Sequence, residues 1–310
     1  MTGEALPAAR AATARRWSRR FDSTALPWLL LLPALVVILG LVAYPIISTF
    51  WLSFHAGVGV STGPFVGVDQ YRALAADPDF RAALVRTIEF SAFNVVATLV
   101  VGVLVALVLD ALGSRGRLLG VVVLLPWAMP RVASGIVWKW MFNAQYGTVN
   151  WALNSVGLHQ FSGYSWFNSG FSSLVVISAA WIWQSVPFIA IAMLAGLRSN
   201  PPEILEAAQV DGARYWKLVL RVRLPMLRPL LTVLLVMSTI WAFQAFDYFF
   251  VMTVPPGGPD HATEVLSLLT WLNAFSLLQQ GKAAAIAVVT FLILAAATLV
   301  YVRSFREATE

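Results

Sequence analysis

The polar stretch at 206–225 opens with Glu206-Ala207-Ala208-Gln209-Val210-Asp211-Gly212-Ala213 and closes with Leu224-Pro225. Long apolar runs flank it on both sides. Just before it, Asn200 suits an N-cap, Pro201 suits the first helical position, and Glu203 stands where a capping-box carboxylate reaches back. Gly212 is placed to end the helix in a left-handed turn. The stretch therefore predicts a rigid helix-turn-helix, the second helix of which leads into the next apolar run.

The composition is that of a membrane protein. Of the 310 residues, 59% are hydrophobic and 12% are charged, whereas a soluble domain has about 25% charged residues. The mean hydropathy is +0.76. A soluble chain of this length would have to bury several apolar runs of about twenty residues each, and its few polar residues could not cover them. The absence of cysteine excludes disulfides, thiolate metal sites and a cysteine nucleophile.

Six apolar stretches are long enough to cross a hydrocarbon core of about 30 Å as helices. They are 27–52, 87–111, 118–142, 171–196, 227–252 and 283–303. The first follows several arginines but exceeds the roughly 7–15 residues of a signal-peptide core, so we interpret it as a retained signal-anchor span. The segment from Val68 to Arg86 has the pattern of a short amphipathic helix at the membrane interface. The predicted fold class is an all-α integral membrane protein with six transmembrane helices.

The distribution of the 21 lysines and arginines predicts the orientation. If the N-terminus is cytoplasmic, most of them lie on the inner side, in the two tails, after the second span and around the polar stretch. The positive-inside rule then favours an N-in, C-in topology. This topology makes 1–26 and 304–310 cytoplasmic tails of a membrane domain at 27–303, and it places the loop 198–225 in the cytoplasm. It also accounts for the formal net charge of +6 without a nucleic-acid partner.

The residues of the polar stretch allow two interpretations. Ala207 and Ala208 permit close approach of another protein, and Leu205 and Val210 supply anchors for a groove. Alternatively, the stretch is an ordinary cytoplasmic hairpin, in which alanine and glutamate favour helix and the arginines enforce the topology. Capping and spacing predict the helices and do not distinguish these two roles.

The outer loop at 143–170 mixes uncharged polar residues with aromatic ones. Trp151 and Trp166 fit an interfacial aromatic belt, which is common at the ends of membrane helices. The alternative is a docking surface for a partner outside the membrane, and the sequence leaves both interpretations open.

Aromatic and uncharged polar side chains concentrate in the fourth and fifth spans. A sugar-like solute needs aromatic faces for its C–H surfaces and uncharged donors and acceptors for its hydroxyls. The candidates are Trp181, Trp183, Gln184, Ser185 and Phe188 in the fourth span, and Ser238, Trp241, Gln244, Asp247 and Tyr248 in the fifth. Pro187 is expected to open the fourth span toward a cavity. Helical spacing puts Ser238, Trp241 and Ala245 on one face of the fifth. Packing against helices or lipid is the alternative role of each aromatic.

Arg131 and Lys139 lie in or near the third span. They either extend toward the outer interface or attract an anionic solute such as a glycerophosphodiester. Two other classes of membrane protein fit less well. A lipid-linked glycosyltransferase needs acidic or histidine clusters at the membrane edge, whereas His55, His159 and His261 are scattered. An ion-coupled secondary carrier would favour inverted repeats and carboxylate relays, neither of which we detect.

The polar stretch resembles the EAA motif of the permease subunits of binding-protein-dependent ABC importers. The string from Pro202 to Ala213 resembles the maltose-permease and glycerol-phosphate-permease branch, which carries sugars and related solutes. The motif elements are Glu206-Ala207-Ala208, Asp211-Gly212-Ala213 and Leu224-Pro225. Weaker matches are Tyr44-Pro45, Trp51-Leu52-Ser53-Phe54, Asp69-Gln70-Tyr71, Asp77-Pro78-Asp79-Phe80, Phe246-Asp247, Gly257-Gly258-Pro259, and Gly281 with Ala283-Ala284-Ala285. Together the matches cover 27–303.

This resemblance implies a non-catalytic, membrane-spanning subunit in a bacterial or archaeal plasma membrane. The first helix of the polar stretch would be a coupling helix seated in a cleft of a separate ATP-binding cassette ATPase dimer, which would hold ATP and Mg²⁺. The implied coupling residues are Leu205, Glu206, Ala207, Ala208, Asp211 and Gly212. A second homologous permease subunit, an extracytoplasmic solute-binding protein and the lipid bilayer are the other implied partners. The chain has no G-x-x-x-x-G-K-[ST] loop of its own, since Gly281-Lys282 lacks the flanking residues.

The resemblance also implies where a solute would pass. By position relative to Pro187 and Pro225, the substrate contacts of the maltose-type branch correspond to Trp181, Gln184, Ser185, Phe188, Ser238, Trp241, Ala242 and Ala245. Gln184 and Gln244 are expected to add polar groups to the same path, and the intramembrane Asp247 is expected to line it, with capping of the helix as the alternative. Ala242 and Ala245 replace polar residues, so the sequence departs from the maltose pattern there. The expected solute is a carbohydrate or related polyol, with a glycerophosphodiester or glycerol phosphate as the alternative.

Overall fold

The computed structural model describes residues 25–59 and 61–307. The regular secondary structure of this part of the chain is helical, apart from two isolated β-bridges after the first span. The helices are α1 Ala25–Ile38, α2 Tyr44–Leu52, α3 Asp69–Ala76, α4 Pro78–Ala111, α5 Gly113–Ala128, α6 Arg131–Met141, α7 Thr148–Ser155, α8 Gly170–Arg198, α9 Pro202–Val210, α10 Tyr215–Leu218, α11 Leu224–Met226, α12 Arg228–Phe243, α13 Asp247–Met252, α14 Leu266–Trp271 and α15 Gln280–Glu307. Three π-helical segments, Leu39–Ala43, Val219–Arg223 and Leu272–Ser276, continue α1, α10 and α14.

Five helices are long and apolar enough to cross a membrane. They are Leu30–Leu52, Pro78–Ala111, Gly170–Arg198, Arg228–Met252 and Gln280–Arg303, and they correspond to five of the six predicted spans. The predicted all-α membrane architecture is confirmed to that extent. The predicted tail at 1–26 lies almost entirely outside the described residues, and α15 continues to Glu307, into the predicted tail at 304–310.

The predicted third span at 118–142 is bent into two helices. α5 ends at Ala128, α6 begins at Arg131, and their axes differ by 90°. Pro130 lacks an N–H and disfavours a helical conformation in the residue before it. Met129 is accordingly extended, with φ −75° and ψ 139°. The two helices form either one broken crossing or a re-entrant segment.

The amphipathic helix predicted from Val68 to Arg86 is two helices. α3 ends at Ala76, and Asp77 then caps the N-terminus of α4 by accepting a hydrogen bond from the Asp79 N–H at 2.9 Å. A proline at the first position of α4 suits this start. The second span therefore begins nine residues earlier than predicted, and Arg86 belongs to it.

α4 and α8 pack side by side and form the centre of the molecule. At one end of the pair, Phe90 packs against Trp181, and at the other Leu107 packs in a cluster with Ile189. A Cβ atom at Gly102 would lie 2.5 Å from Ile189 Cγ2. Glycine at this position therefore allows the two helices to approach closely.

The first span, Leu30–Leu52, has no buried residue in its apolar window. It contacts the rest of the chain near its end, where the Phe50 ring packs edge-on against Phe291 of α15 at a centroid distance of 5.8 Å. Most of its apolar surface therefore remains for lipid or for another subunit.

The polar stretch folds as the predicted helix-turn-helix. α9 ends in a Schellman turn, because the Gly212 N–H donates to the Gln209 carbonyl and the Ala213 N–H donates to the Ala208 carbonyl, each at 3.0 Å. Gly212 has φ +78°, so the predicted left-handed turn is confirmed. The predicted N-cap is wrong: Pro201 occupies the cap position, and the described residues supply no partner for the buried Asn200 Nδ2.

Candidate translocation site

A small cavity lies among three of the long helices. Its walls are Asn94, Val95 and Thr98 of α4, Trp181, Ser185 and Ile189 of α8, and Ser238 and Trp241 of α12. Four of the eight predicted path residues therefore meet at one place. The cavity measures about 10 Å³, which is about the room that one water molecule needs. None of the described residues that line it carries an ionisable side chain.

Aromatic rings surround this cavity. The Phe188 ring packs edge-on against Trp241 at 5.2 Å and is stacked on Trp127 at 5.8 Å. Trp181 packs edge-on against Phe90 at 5.9 Å and against Tyr248 at 6.2 Å. Phe188 thus supports the wall of the cavity from behind and does not line it.

Gln184 is buried but points away from the cavity. Its Nε2 donates to the Met129 carbonyl at 2.7 Å, and its Oε1 accepts a hydrogen bond from the Tyr248 hydroxyl. The Tyr248 hydroxyl also lies 3.2 Å from the Ser134 hydroxyl. This network satisfies the carbonyl that the bend before Pro130 exposes, so Gln184 holds the bend between α5 and α6 and does not contribute to the cavity wall.

The fifth span is interrupted close to the cavity. α12 ends at Phe243, and the Ala245 carbonyl accepts a hydrogen bond from the Ser267 hydroxyl. The predicted common helical face of Ser238, Trp241 and Ala245 is therefore wrong, because Ala245 lies outside the helix. Gln244 is exposed, and the half-buried Asp247 begins α13, where a carboxylate interacts favourably with the helix N-terminus. Neither lines the cavity.

The predicted opening of the fourth span at Pro187 does not occur. α8 runs as one helix from Gly170 to Arg198 with Pro187 inside it. Pro187 is buried, and so are Ala180 and Trp181, about two helical turns before it. Tight packing against α4 keeps the helix continuous despite the missing N–H donor.

Asn94 and Thr98 were not predicted as site residues. Asn94 is fully buried; its Nδ2 donates to the Phe90 carbonyl at 2.8 Å and to the Ser178 hydroxyl at 3.0 Å. Within the described chain, Asn94 Oδ1 and Thr98 Oγ1 are buried without a hydrogen-bond partner. A buried polar atom left unpaired costs about 1–3 kcal/mol. The signal in the sequence is a polar residue at every third or fourth position of α4: Thr87, Ser91, Asn94 and Thr98.

Arg131 and Lys139 have partners within the chain. The Arg131 guanidinium lies 5.0 Å from the centre of the Trp181 ring, within cation–π range. Lys139 Nζ donates to the Val251 carbonyl at 3.0 Å. Both cations therefore brace α6 against neighbouring helices, and neither lines the cavity.

The two tryptophans of the loop at 143–170 differ in their surroundings. Trp166 Nε1 donates to Asn150 Oδ1 at 2.7 Å, and its ring stacks on Phe161 at 5.4 Å. Trp166 therefore packs against other residues of the same loop. Trp151 is 74% exposed and borders, with Tyr146, a surface groove of about 380 Å³.

The polar loop after α8 is tied to the membrane helices by one acidic residue. Asp110, at the end of α4, lies 2.7 Å from Arg223 and 3.5 Å from Arg198. Arg223 also donates to the Leu197 carbonyl at 3.2 Å. α9 itself has no buried residue; the side chains of Glu206 and its neighbours on this helix face outward.

The chain is similar in sequence to known transport proteins. Residues 98–307 match the family described as "Binding-protein-dependent transport system inner membrane component". The chain is 39% identical to the diacetylchitobiose uptake system permease protein DasB of Streptomyces coelicolor, over 89% of this chain and 85% of that protein. It is 35% identical to the trehalose/maltose transport system permease protein MalF of Thermococcus litoralis, over 92% and 95%.

A solved structure shares the fold. A chain of a bacterial ABC transporter involved in the import of the acidic polysaccharide alginate superposes with a TM-score of 0.83 at 22% identity, covering 95% of this chain and 100% of that one. The predicted resemblance to sugar-importer permeases is thus confirmed. The chain belongs to the binding-protein-dependent transport system inner membrane components and is a multi-pass inner-membrane permease subunit of an ABC sugar importer.

Proposed function

We propose that this chain carries a neutral carbohydrate or related polyol along a path between α4, α8 and α12. The lining of the cavity, with two indole rings and uncharged hydroxyl and amide groups, is the observation that carries the proposal. Indole faces suit the C–H surfaces of a sugar, and the polar groups suit its hydroxyls. The relatives named for diacetylchitobiose and trehalose/maltose support the same class of solute.

A glycerophosphodiester or glycerol phosphate receives less support. Such an anion needs a cation that is free to face it. Arg131 and Lys139 are engaged by the Trp181 ring and the Val251 carbonyl. The cavity between the three helices offers an anion no counter-charge among its described lining residues.

We infer that α9 is the coupling helix of an N-in, C-in subunit. Glu206, Ala207, Asp211 and Gly212 are exposed, and Leu205 and Ala208 are partly so, which supports contact with a second protein. That protein would be an ATP-binding cassette ATPase dimer holding ATP and Mg²⁺, so this chain needs no cofactor. A second permease subunit and an extracytoplasmic solute-binding protein complete the proposed complex; the alginate transporter has been solved with a periplasmic protein.

The proposed coupling runs along the chain itself. α9 follows α8 after three residues, and α10 leads through α11 into α12. The pair of Asp110 and Arg223 adds α4 to the same connection. A displacement of α9 by the ATPases would therefore reach all three helices that line the cavity, and alternation between two packings would open and close it.

The path is tested with Trp241→Ala in the assembled transporter, using uptake of radiolabelled trehalose, maltose and diacetylchitobiose by intact cells. We expect uptake of whichever sugar the unmodified transporter carries to fall at least about tenfold, because the indole wall that binds it is lost. Trp183→Ala is the matched control, since Trp183 lies on α8 outside the cavity and should leave uptake unchanged. Equal uptake in the Trp241→Ala variant would refute the proposed path.

The coupling role is tested by purifying the chain from its native membrane and identifying the proteins that accompany it. We expect an ATPase in the preparation and expect Glu206→Ala to weaken its retention. Glu203→Ala, in the first turn of the same helix, serves as the control. An ATPase that stays bound to both variants, with unchanged solute-stimulated hydrolysis, would show that α9 does not couple.

A further inference from the structure

We propose that an anionic phospholipid of the surrounding bilayer binds to a groove between α4 and α8, with its phosphate at Arg86 and an acyl chain between the two helices. The groove measures about 570 Å³. None of the residues that line it also lines the cavity of the proposed path. The inference therefore concerns a second site and does not depend on the solute.

Most of the groove wall is apolar. α4 contributes Phe90 and Phe93, and α8 contributes aliphatic and small side chains between Phe171 and Ile182. The Phe93 and Phe171 side chains are 60% and 80% exposed, so they lie on the outer surface of the helix pair. Residues 171 to 182 extend about 16 Å along α8, which is about half the thickness of the hydrocarbon core. The groove thus suits a hydrocarbon chain within one half of the bilayer.

The charged residues of the groove stand at one end of it. Arg86 and Glu89 come first along α4, and Phe93 follows about one turn later. The apolar stretch of this span begins at residue 87, directly after Arg86. Charged side chains are costly within hydrocarbon and extend toward the membrane interface. We therefore place this end of the groove at the level of the lipid headgroups, with the apolar part directed into the bilayer.

An open hollow of about 510 Å³ continues the groove toward the start of α4. Arg86 lines both, and the other residues of the hollow are Pro78, Arg81, Ala82 and Val85. With Glu89 and Phe93 they recur at every third or fourth position, so they form one stripe along the helix. The stripe is basic in its first half and apolar in its second. This is the order of groups in a phospholipid, with a phosphate-bearing headgroup followed by a hydrocarbon chain.

Arg86 is held in place and keeps donors for a ligand. Its Nη1 donates to the Glu264 carbonyl at 3.0 Å, whereas a guanidinium has five N–H donors in all. The Glu264 carboxyl attracts Arg86 from a distance. Among the described residues, no carboxylate forms an ion pair with Arg86. The planar guanidinium matches the oxygens of a phosphate, to which it can donate two parallel hydrogen bonds.

The charges also distinguish between possible occupants. Arg81 and Arg86 outnumber Glu89 along the stripe, so an anionic phospholipid such as phosphatidylglycerol is favoured over a zwitterionic one. An apolar helix of another subunit would cover Arg86 and Glu89 and remove their hydration without compensation. A phospholipid fills the apolar part of the groove and leaves both charged residues in a hydrated headgroup layer.

The test uses phosphatidylglycerol with a photoactivatable diazirine in its acyl chain. The purified complex is reconstituted in phosphatidylcholine vesicles that contain a small, constant fraction of this probe, and the attachment sites are located by mass spectrometry after illumination. We expect attachment on α4 near Phe93 and on α8 between Val175 and Ile182. When unlabelled phosphatidylglycerol replaces phosphatidylcholine, attachment in the groove should fall at least about fivefold, because the two compete for one site.

The first span, Leu30–Leu52, provides the internal comparison. Its apolar window has no buried residue, so it reports on lipid that surrounds the protein without a defined site. Attachment there should depend only on the fraction of probe in the bilayer and should not change with unlabelled phosphatidylglycerol.

Two pairs of variants test the two parts of the site. Arg86→Gln should lower attachment in the groove about fivefold, since one cationic contact is lost, and Arg86→Lys should retain most of it. Arg72→Gln is the control, because Arg72 is exposed on α3, pairs with Asp69 and lines neither the groove nor the hollow.

The second pair leaves every charge in place. Ala179→Trp fills the apolar part of the groove and should abolish attachment there. Ala92→Trp adds the same ring at an exposed position of α4 outside the groove and should leave attachment as it is in the unmodified protein.

Three results would overturn the inference. Attachment in the groove that does not respond to unlabelled phosphatidylglycerol would identify ordinary surrounding lipid. Equal attachment in Arg86→Gln and the unmodified protein would remove Arg86 from the site. An unlabelled groove beside a labelled first span would favour a helix of another subunit as the occupant. Each result would leave the proposed solute path intact.

Discussion

Arg223 Nη2 lies 2.7 Å from Asp110 Oδ2, although 113 positions separate the two residues in the chain. The same nitrogen lies 3.2 Å from the Leu197 carbonyl at the end of α8. One guanidinium therefore joins the segment after α10 to the ends of the two central helices. The side chains of Arg223 and Asp110 are only 12% and 20% exposed, so water screens this pair weakly.

Asp110→Asn should loosen this junction. The change keeps the shape of the side chain but leaves Arg223 without its counter-charge, which should lower the free energy of unfolding by about 2 kcal/mol. We expect a lower thermal midpoint of the purified complex and less solute-stimulated ATP hydrolysis. Arg221→Ala, an exposed arginine of the same π-helical segment, is the control. Wild-type hydrolysis in Asp110→Asn would show that the pair does not transmit force.

Gly212→Ala should weaken the proposed coupling through the backbone alone. A Cβ at Gly212 would meet no atom within 4 Å, but φ is +78°, and a left-handed conformation costs a non-glycine residue about 1 kcal/mol or more. The turn after α9 should therefore fray, and the affinity for the ATPase should fall about fivefold. Titration of the ATPase against the reconstituted subunit measures this.

Gly212→Asn is the control for that variant, because asparagine tolerates the left-handed conformation better than alanine does. We expect it to retain most of the affinity. If both variants bind the ATPase as tightly as the unmodified subunit, the shape of this turn is irrelevant to coupling.

Gln184→Leu should affect stability more than recognition. It removes the partner of the Met129 carbonyl and one of the two partners of the Tyr248 hydroxyl, at a cost of about 1–3 kcal/mol. We expect a lower thermal midpoint of the solubilised complex. Ser134→Ala should have a smaller effect, since Tyr248 keeps its bond to Gln184. Lost uptake at an unchanged midpoint would instead assign Gln184 to the solute.

Glu264 predicts a pH dependence outside the membrane-spanning helices. Burial raises the pKa of its carboxyl above the ordinary value, against the opposing effect of the hydrogen bond from His261. Since the folded state then binds a proton more tightly than the unfolded state, stability falls as the pH rises through the interval between the ordinary and the raised pKa. Glu264→Gln should abolish this loss.

The measurement for Glu264 is the thermal midpoint of the purified complex from pH 4.5 to 8. Asp260→Asn removes an exposed carboxylate from the same loop. It should leave the change of the thermal midpoint with pH as it is in the unmodified protein. If the thermal midpoint changes with pH equally in the unmodified and Glu264→Gln proteins, a group other than Glu264 causes the pH dependence.

Local chemistry made some features predictable. Gly212 ends α9 because a left-handed turn favours glycine, and that preference is visible in a few neighbouring residues. The long spans follow from uninterrupted apolar runs. The bend between α5 and α6 also has a local cause, Pro130, but the apolar run continues through it and conceals the break.

Contacts between distant residues were not predictable from periodicity. Gln184 turns away from the cavity because Met129, 55 positions earlier, presents a carbonyl to it. Ala245 leaves the helix because its carbonyl bonds to Ser267. The polar residues of α4, such as Asn94, stand in an apolar span whose composition alone identifies it as a membrane helix, so their alignment with α8 becomes visible only in three dimensions.

The close contact between Gly102 of α4 and Ile189 of α8 limits how a passage could form. Because Ile189 occupies the place of a side chain there, α4 and α8 are interlocked, and sliding them apart would open a void in a closely packed seam. On the proposed path, α12 would then be the wall that moves, while α4 and α8 stay packed against each other. A solute would keep its contacts with Asn94 and Trp181 throughout the cycle and lose those with Ser238 and Trp241. Withdrawal of α12 would lower the affinity of the site for the solute and so allow release, while the packing of α4 against α8 stays unchanged.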